Sequence, residues 1–367
     1  MKIAFFINTA AQAHFFKNII GALTQKGHDL IVLARNYGET LYLLRTFNLP
    51  HVVYSHPPAS KYGKILVLPS DILSAYRYLR KSGVTLIVGT GIYSVYTALL
   101  LKRPNLLFMD AISTRLELSL TRRFADVIVT PSNLTADLGE KHIRINSFKE
   151  LAYLHPAYFH PDRTMVAQLP IAEGKKFVVL RFNAFDATHD FGTGGFGRTE
   201  RRDLVHELSK HGQVFISSEA PVSNDLNEYV LRVPRERIHH VLYYADLLIA
   251  DTGTMVTEAA LLGTPAICYH PKARKIGNFI ELEEHYQLIL TFQDMPRLIE
   301  KAIGFLTQKG LKEEWKVRKE KLIREKIDIT LFMTWFIENY PESLKTMQRD
   351  PAYQKVFTQV NPRNFIQ

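Results

Sequence analysis

The stretch Asp251-Thr-Gly-Thr-Met-Val-Thr-Glu258-Ala-Ala-Leu-Leu-Gly263-Thr-Pro265 follows directly on the apolar run Leu247–Ala250. A short apolar run, a cluster of small polar residues and then a helix-forming run read as strand, turn and helix. Gly263 suits the left-handed residue that closes such a helix, and Pro265 opens the next extended segment. At the turn, Asp251, Thr252 and Gly253 supply a cap and uncommitted backbone N–H groups at the positive end of a helix, the donors that receive a phosphate. Glu258 lies about two turns further in. A carboxylate there repels phosphate but suits the two hydroxyls of a ribose. The same residues also serve a purely structural strand–helix–strand unit.

The alternation of apolar runs with amphipathic stretches extends in both directions, as expected for βα units building parallel sheets. Towards the N-terminus the runs Lys2–Ile7, Asp29–Ala34, His51–Tyr54, Thr85–Val88, Asn105–Met109 and Asp126–Thr130 read as strands. Phe15, Ile19, Ile20 and Leu23 recur at helical spacing, and Gly27 ends that helix. From Phe177 a second series follows, at Phe177–Arg181, Gln213–Ser217, Leu247–Ala250, Ala266–Tyr269 and Leu288–Leu290. Between them Pro156, Pro161 and Pro170 favour an extended connector. A chain of 367 residues suits two cores. The expected architecture is α/β: two Rossmann-like domains facing across a cleft, over residues 1–155 and 156–327. A helical segment over 328–367, with the stripe Phe332, Trp335 and Phe336, is expected to pack back across the domains.

Composition narrows the function classes. The balance of 46% hydrophobic and 22% charged residues is that of a soluble globular enzyme. The single cysteine, Cys268, excludes an internal disulfide and a thiolate metal cluster and favours a reducing, cytoplasmic setting. Asn8, Gln12, His14 and Lys17 interrupt the first apolar stretch, which reads as a strand and not as a signal peptide. Ser82 to Leu101 is uncharged and of membrane-spanning length, yet Gly89-Thr-Gly91 divides it into a β-branched run and a helical run. The formal charge is +10, and the first 165 residues hold 19 of the 46 Lys and Arg but only 10 of the 36 Asp and Glu. Such a field attracts diphosphates, anionic lipid headgroups or nucleic acid. No helix-turn-helix, RNA-recognition or zinc-finger pattern accompanies it, so nucleic-acid binding without turnover is the least favoured reading.

In parallel α/β sheets ligands gather beyond the carboxyl ends of strands. That rule selects Asn8–His14, Arg35, Gly89–Ser94, Asp110 and Thr130–Ser132 in the first half. In the second it selects Arg181–Asp190, Ser217–Glu219 with Ser218, Asp251–Thr254 and Tyr269–His270. Arg181 suits a bidentate clamp on a diphosphate. Asp186, His189 and Asp190 follow it, with Gly192, Gly194, Gly195 and Gly197 behind as a loop able to close over a nucleotide. Their spacing is not that of a zinc site, and no metal is expected. Lys275 suits phosphate neutralisation or a solvated face. Asp110 is the first choice of general base on an acceptor hydroxyl, with helix capping as its alternative role. His14 suits either acid/base work at the cleft or a cap. Gly89 and Gly91, with Ser94 behind them, let backbone approach an acceptor or simply make a tight turn.

The arrangement Thr252-Gly253, Glu258-Ala259 and Gly263-Thr-Pro265 resembles the nucleotide-binding motif of GT-B glycosyltransferases and of the non-hydrolysing nucleotide-sugar 2-epimerases. The resemblance implies that Thr252, Gly253 and Thr254 face a diphosphate and that Glu258 holds the ribose. The chain up to about residue 340 also resembles an uncharacterised domain-of-unknown-function family of archaeal and bacterial proteins regarded as GT-B transferases. The blocks His14-Phe-Phe-Lys-Asn-Ile-Ile20, Lys149-Glu-Leu-Ala-Tyr-Leu-His-Pro156, Asp186-Ala-Thr-His-Asp190, Phe215-Ile-Ser-Ser-Glu219 and Lys275-Ile-Gly277 carry that likeness. Gly89-Thr-Gly-Ile-Tyr-Ser94 is similar to the acceptor-side loop of the lipid-intermediate N-acetylglucosaminyltransferase of cell-wall synthesis. Together these imply a GT-B fold and metal-independent transfer of a sugar from a nucleotide-sugar, expected to be UDP-linked. The implied acceptor is a lipid-linked or surface-polysaccharide precursor, with no further cofactor, and the basic first half suits its presentation at the inner face of an anionic membrane. A 2-epimerase-like isomerase is the alternative.

Overall fold

The computed structural model describes residues 1–58, 60, 63, 66–110, 115–134, 136–183, 195–218, 221–251, 253–269 and 277–358. They fall into two compact units: Met1–Tyr158 with the segment from Lys326 onwards, and Phe159–Glu325.

The first unit is built on a parallel sheet of β1 (Lys2–Ile7), β2 (Asp29–Arg35), β3 (Val52–Ser55), β4 (Leu86–Gly89), β5 (Asn105–Phe108), β6 (Val127–Pro131) and β7 (His142–Ile145). Their spatial order is β3-β2-β1-β4-β5-β6-β7, so the winding reverses between β1 and β4. The central strands are buried on both faces, which is why they read as continuous apolar runs. The helix Ala10–Gln25 starts at Thr9, whose hydroxyl accepts from the Gln12 amide, and Gly27 follows its end at φ +81°. The strand β7 was not expected. It is a short edge strand in which Ile143 and Ile145 point inward while Arg144 is exposed, too brief an alternation to stand out.

Ser82 to Leu101 divides as expected into β4 and the helix Ile92–Leu101. Among the described residues no helix is long and apolar enough to cross a membrane. The segment from Lys326 belongs to the first unit, where the helix Ile329–Glu338 buries Phe332 and Phe336, their rings stacked 5.6 Å apart. Asp328 caps it by accepting from the Leu331 amide and also accepts from the Tyr158 hydroxyl.

The second unit holds a five-stranded parallel sheet of β8 (Phe177–Phe182), β9 (Gln213–Ser218), β10 (Leu247–Ala250), β11 (Ala266–Tyr269) and β12 (Ile289–Phe292). Its order is β12-β11-β10-β8-β9, with the reversal between β10 and β8. Both sheets are therefore Rossmann-like, each with one crevice where loops diverge in opposite directions. The helix Gly253–Leu262 joins β10 to β11. Gly263, at φ +81°, lets the Thr264 amide reach back to the Ala259 carbonyl at 2.9 Å and close that helix.

Candidate functional site

In the second unit the reversal places the ends of β8 and β10 side by side, with Arg181 in register with Ala250. Asp251, the next residue, is buried, and its two carboxylate oxygens accept from the amides of Asn183 (2.8 Å) and Phe196 (3.1 Å). Arg201 holds the same two residues by their carbonyls, Nε to Phe196 (3.0 Å) and Nη2 to Asn183 (3.2 Å). Burial raises the Asp251 carboxyl above its ordinary range, against the opposing pull of those amides. The sequence suggested Asp251 as part of a helix cap; the structure gives its side chain to this staple.

Gly253 opens the helix Gly253–Leu262, and a side chain there would lie 3.3 Å from the Phe279 ring, a tight contact that the ring would have to ease. Thr254 in the first turn is exposed, while every residue from Met255 to Leu262 is buried. Glu258 lies on the buried part. Its Oε1 accepts from His239 Nε2 at 3.0 Å, and both side chains are less than a tenth exposed. His239 comes from the helix Ile238–Tyr244, and only the packing of that helix on Gly253–Leu262 could disclose it. On the other side of β10, Arg181 Nη1 donates to Ser217 Oγ at 2.9 Å, and Ser218 Oγ is buried with no hydrogen-bond partner among the described residues. Tyr269, at the end of β11, stacks on Phe196 at 4.8 Å and donates to Glu200 Oε1 at 3.0 Å. Arg181, Ser218 and Gly253, with Thr254 in the first helical turn, thus stand at or just beyond the carboxyl ends of β8, β9 and β10, while Glu258 lies midway along the helix. His189, Asp190, Glu219, Thr252 and Lys275 lie outside the described residues.

In the first unit, Gly89 ends β4, and a side chain on it would lie 2.4 Å from Ser94. Ser94 is buried and donates to the Gly91 carbonyl at 2.9 Å, while a side chain on Gly91 would meet Glu117 Oε1 at 3.2 Å. Gly89 permits the close packing of its own turn, and Gly91 the approach of Glu117 from the helix Arg115–Arg122. Asp110, just beyond β5, is partly exposed and ion-paired with Lys149. His14 is buried in the helix after β1, its ring 5.1 Å from those of Phe47 and Tyr153. One turn on, burial lowers the Lys17 ammonium to about 8, and its Nζ sits 4.6 Å from the Phe47 ring centroid.

Among solved structures, the chain is similar to UDP-GlcNAc 2-epimerase from Methanocaldococcus jannaschii, with 14% identity, 88% of this chain and 99% of that one covered, and a TM-score of 0.61. It is also similar to the glycosyltransferase SsfS6 of Streptomyces sp. SF2575, solved with thymidine diphosphate, with 14% identity, coverage of 92% and 99%, and a TM-score of 0.58. These likenesses extend to the fold. The teichoic acid ribitol-phosphate polymerase TarK of Staphylococcus aureus is 24% identical over 163 residues, which are 42% of this chain and 31% of TarK. The chain thus spans about a third of the length of that relative. Residues 1–331 match the family described as protein of unknown function (DUF354), and the chain belongs to it.

Proposed function

We propose that this protein is a metal-independent glycosyltransferase that takes its sugar from a nucleoside-diphosphate donor, UDP-linked in our reading, held on the second unit. The observation that carries this reading is the carboxyl edge of β8 and β10, where Arg181 and the start of the helix at Gly253 stand at adjacent strand ends and the same helix carries a buried glutamate paired with His239. Negative charge develops on the leaving diphosphate as the glycosidic bond breaks, and a helix N-terminus with a guanidinium stabilises it without a metal. Glu258 takes the ribose hydroxyls. Asp110, held by Lys149, serves as base for the acceptor hydroxyl. The solved neighbours support the donor class, since one is a UDP-GlcNAc 2-epimerase and another was solved with thymidine diphosphate.

The acceptor in this reading is a lipid-linked or surface-polysaccharide precursor presented at an anionic membrane. Leu99, Leu100, Leu120 and Phe124 are exposed on the first unit among Lys102, Arg103, Arg122 and Arg123. Tyr96 ties the two segments together, its ring 5.5 Å from that of Phe124. Apolar side chains among cations are what an anionic interface receives.

A 2-epimerase is the second reading, favoured by the fold of the Methanocaldococcus enzyme. Incubating the pure protein with UDP-sugars, with and without a polyprenyl-diphosphate sugar, separates the two. A transferase releases UDP and elongates the acceptor; an epimerase isomerises the nucleotide-sugar alone. In calorimetry with UDP, Glu258→Ala and Arg181→Ala should each weaken binding about tenfold, the loss of one charge-assisted hydrogen bond. Wild-type affinity in both variants removes the donor site from this place.

A further inference from the structure

The reversal of the first sheet holds a cation that the transferase reading does not use. Arg35 is the last residue of β2, whose Ala34 is in register with Ile7 of β1, so its side chain starts at the carboxyl edge beside the β1/β4 crevice. Nε donates to Ser55 Oγ at 3.3 Å, and Ser55 donates in turn to the buried Asp71 at 2.5 Å. The guanidinium carbon lies 4.9 Å from the ring centroid of Tyr93, which is buried, and 5.8 Å from that of Tyr37, which is exposed. Nη2 is buried with no hydrogen-bond partner, and Arg35 forms no ion pair among the described residues. Thr90, in the turn that leads to Tyr93, has a buried hydroxyl in the same condition. Tyr54, by contrast, donates to Asn8 Oδ1 at 2.6 Å, and the Asn8 backbone amide donates to Gln12 Oε1 at 2.7 Å.

We infer that Arg35 anchors an oxyanion subsite in the first unit that takes a phosphoryl group of the second substrate. An arginine is always charged and carries five donors, of which this one spends a single N–H on the described residues. Leaving a buried donor unmade costs stability, and an entering oxyanion recovers that cost. Ring faces beside a guanidinium hold its plane, the geometry that recognises phosphate and carboxylate by paired hydrogen bonds. The excess of Lys and Arg over the first 165 residues favours the dianionic phosphate over a carboxylate. Assigning the phosphoryl group to the second substrate rests on the transferase reading; the oxyanion subsite itself does not.

The test is calorimetric titration of the full chain with inorganic phosphate, and separately with acetate, in the presence of saturating UDP so that any diphosphate site on the second unit is filled. Wild type should bind phosphate and bind acetate at least tenfold more weakly. Arg35→Gln should lose phosphate binding at least tenfold while its affinity for UDP stays within twofold of wild type. Arg35→Lys keeps the charge and guards against a folding defect in the first variant; it should weaken phosphate at least threefold, because an ammonium cannot span two oxygens. The inference is overturned if wild type binds no phosphate under these conditions, if both variants bind it as wild type does, or if acetate binds as tightly. Should UDP itself fail to bind, the transferase reading falls while the phosphate titration still decides the subsite.

Discussion

His239 donates from Nε2 to Oε1 of Glu258 across 3.0 Å, joining the helix Ile238–Tyr244 to the helix Gly253–Leu262 where both side chains are nearly enclosed. A buried carboxylate needs donors to stay in place, and this imidazole meets one of its oxygens. The relation makes His239 a positioning residue for whatever Glu258 holds.

Replacing His239 by Ala should therefore destabilise the second unit by about 2 kcal/mol, the scale of a hydrogen bond to a charged group, and should weaken UDP binding as well. Glu258→Gln, which keeps the shape and one acceptor oxygen, should cost less stability than His239→Ala. Urea denaturation and calorimetry on the same preparations check both statements. A His239→Ala variant with unchanged urea midpoint and unchanged UDP affinity contradicts them.

Lys17 offers a pH signature in the first unit. Its folded-state pKa, about 8, lies below the ordinary lysine value of 10.5, because burial penalises the ammonium. Between these values the unfolded chain binds more protons than the folded one, so this group's contribution to stability rises with pH and its cost is fully present below about pH 8. Lys17→Met should accordingly be more stable than wild type at pH 7, with the difference shrinking as pH climbs from 8 towards 10.5. Urea midpoints of the two proteins at pH 7, 9 and 10 measure this; a gap that stays constant with pH would count against the lysine as its source.

Membrane contact through the patch of Leu99, Leu100, Leu120 and Phe124 predicts cosedimentation with vesicles containing phosphatidylglycerol, and little with neutral phosphatidylcholine. Leu100→Asp with Phe124→Asp should abolish the difference while leaving UDP affinity unchanged, since the second unit is untouched. Equal sedimentation with anionic and neutral vesicles would refute the contact.

The strand positions were legible because parallel strands buried on both faces leave long apolar runs in the chain, as Lys2–Ile7 and Leu247–Ala250 do. Glycines that close helices were legible too, since Gly27 and Gly263 occupy left-handed backbone that other side chains resist. The short edge strand His142–Ile145 was not, because four residues hold too little pattern.

At the candidate site the sequence determined which residue types stand at the strand ends and in the helix that follows: Arg181, Asp251 and Gly253 at the ends and Glu258 within the helix follow from position in the βα units alone. What they touch was decided by tertiary packing. His239 meets Glu258 across 19 positions of sequence, Arg201 and Asp251 share Asn183 and Phe196, and Ser94 fills the space beside Gly89. The physical reason is that a local pattern encodes burial and backbone conformation, which depend on near neighbours, whereas a hydrogen bond between buried groups depends on how separate helices are brought together.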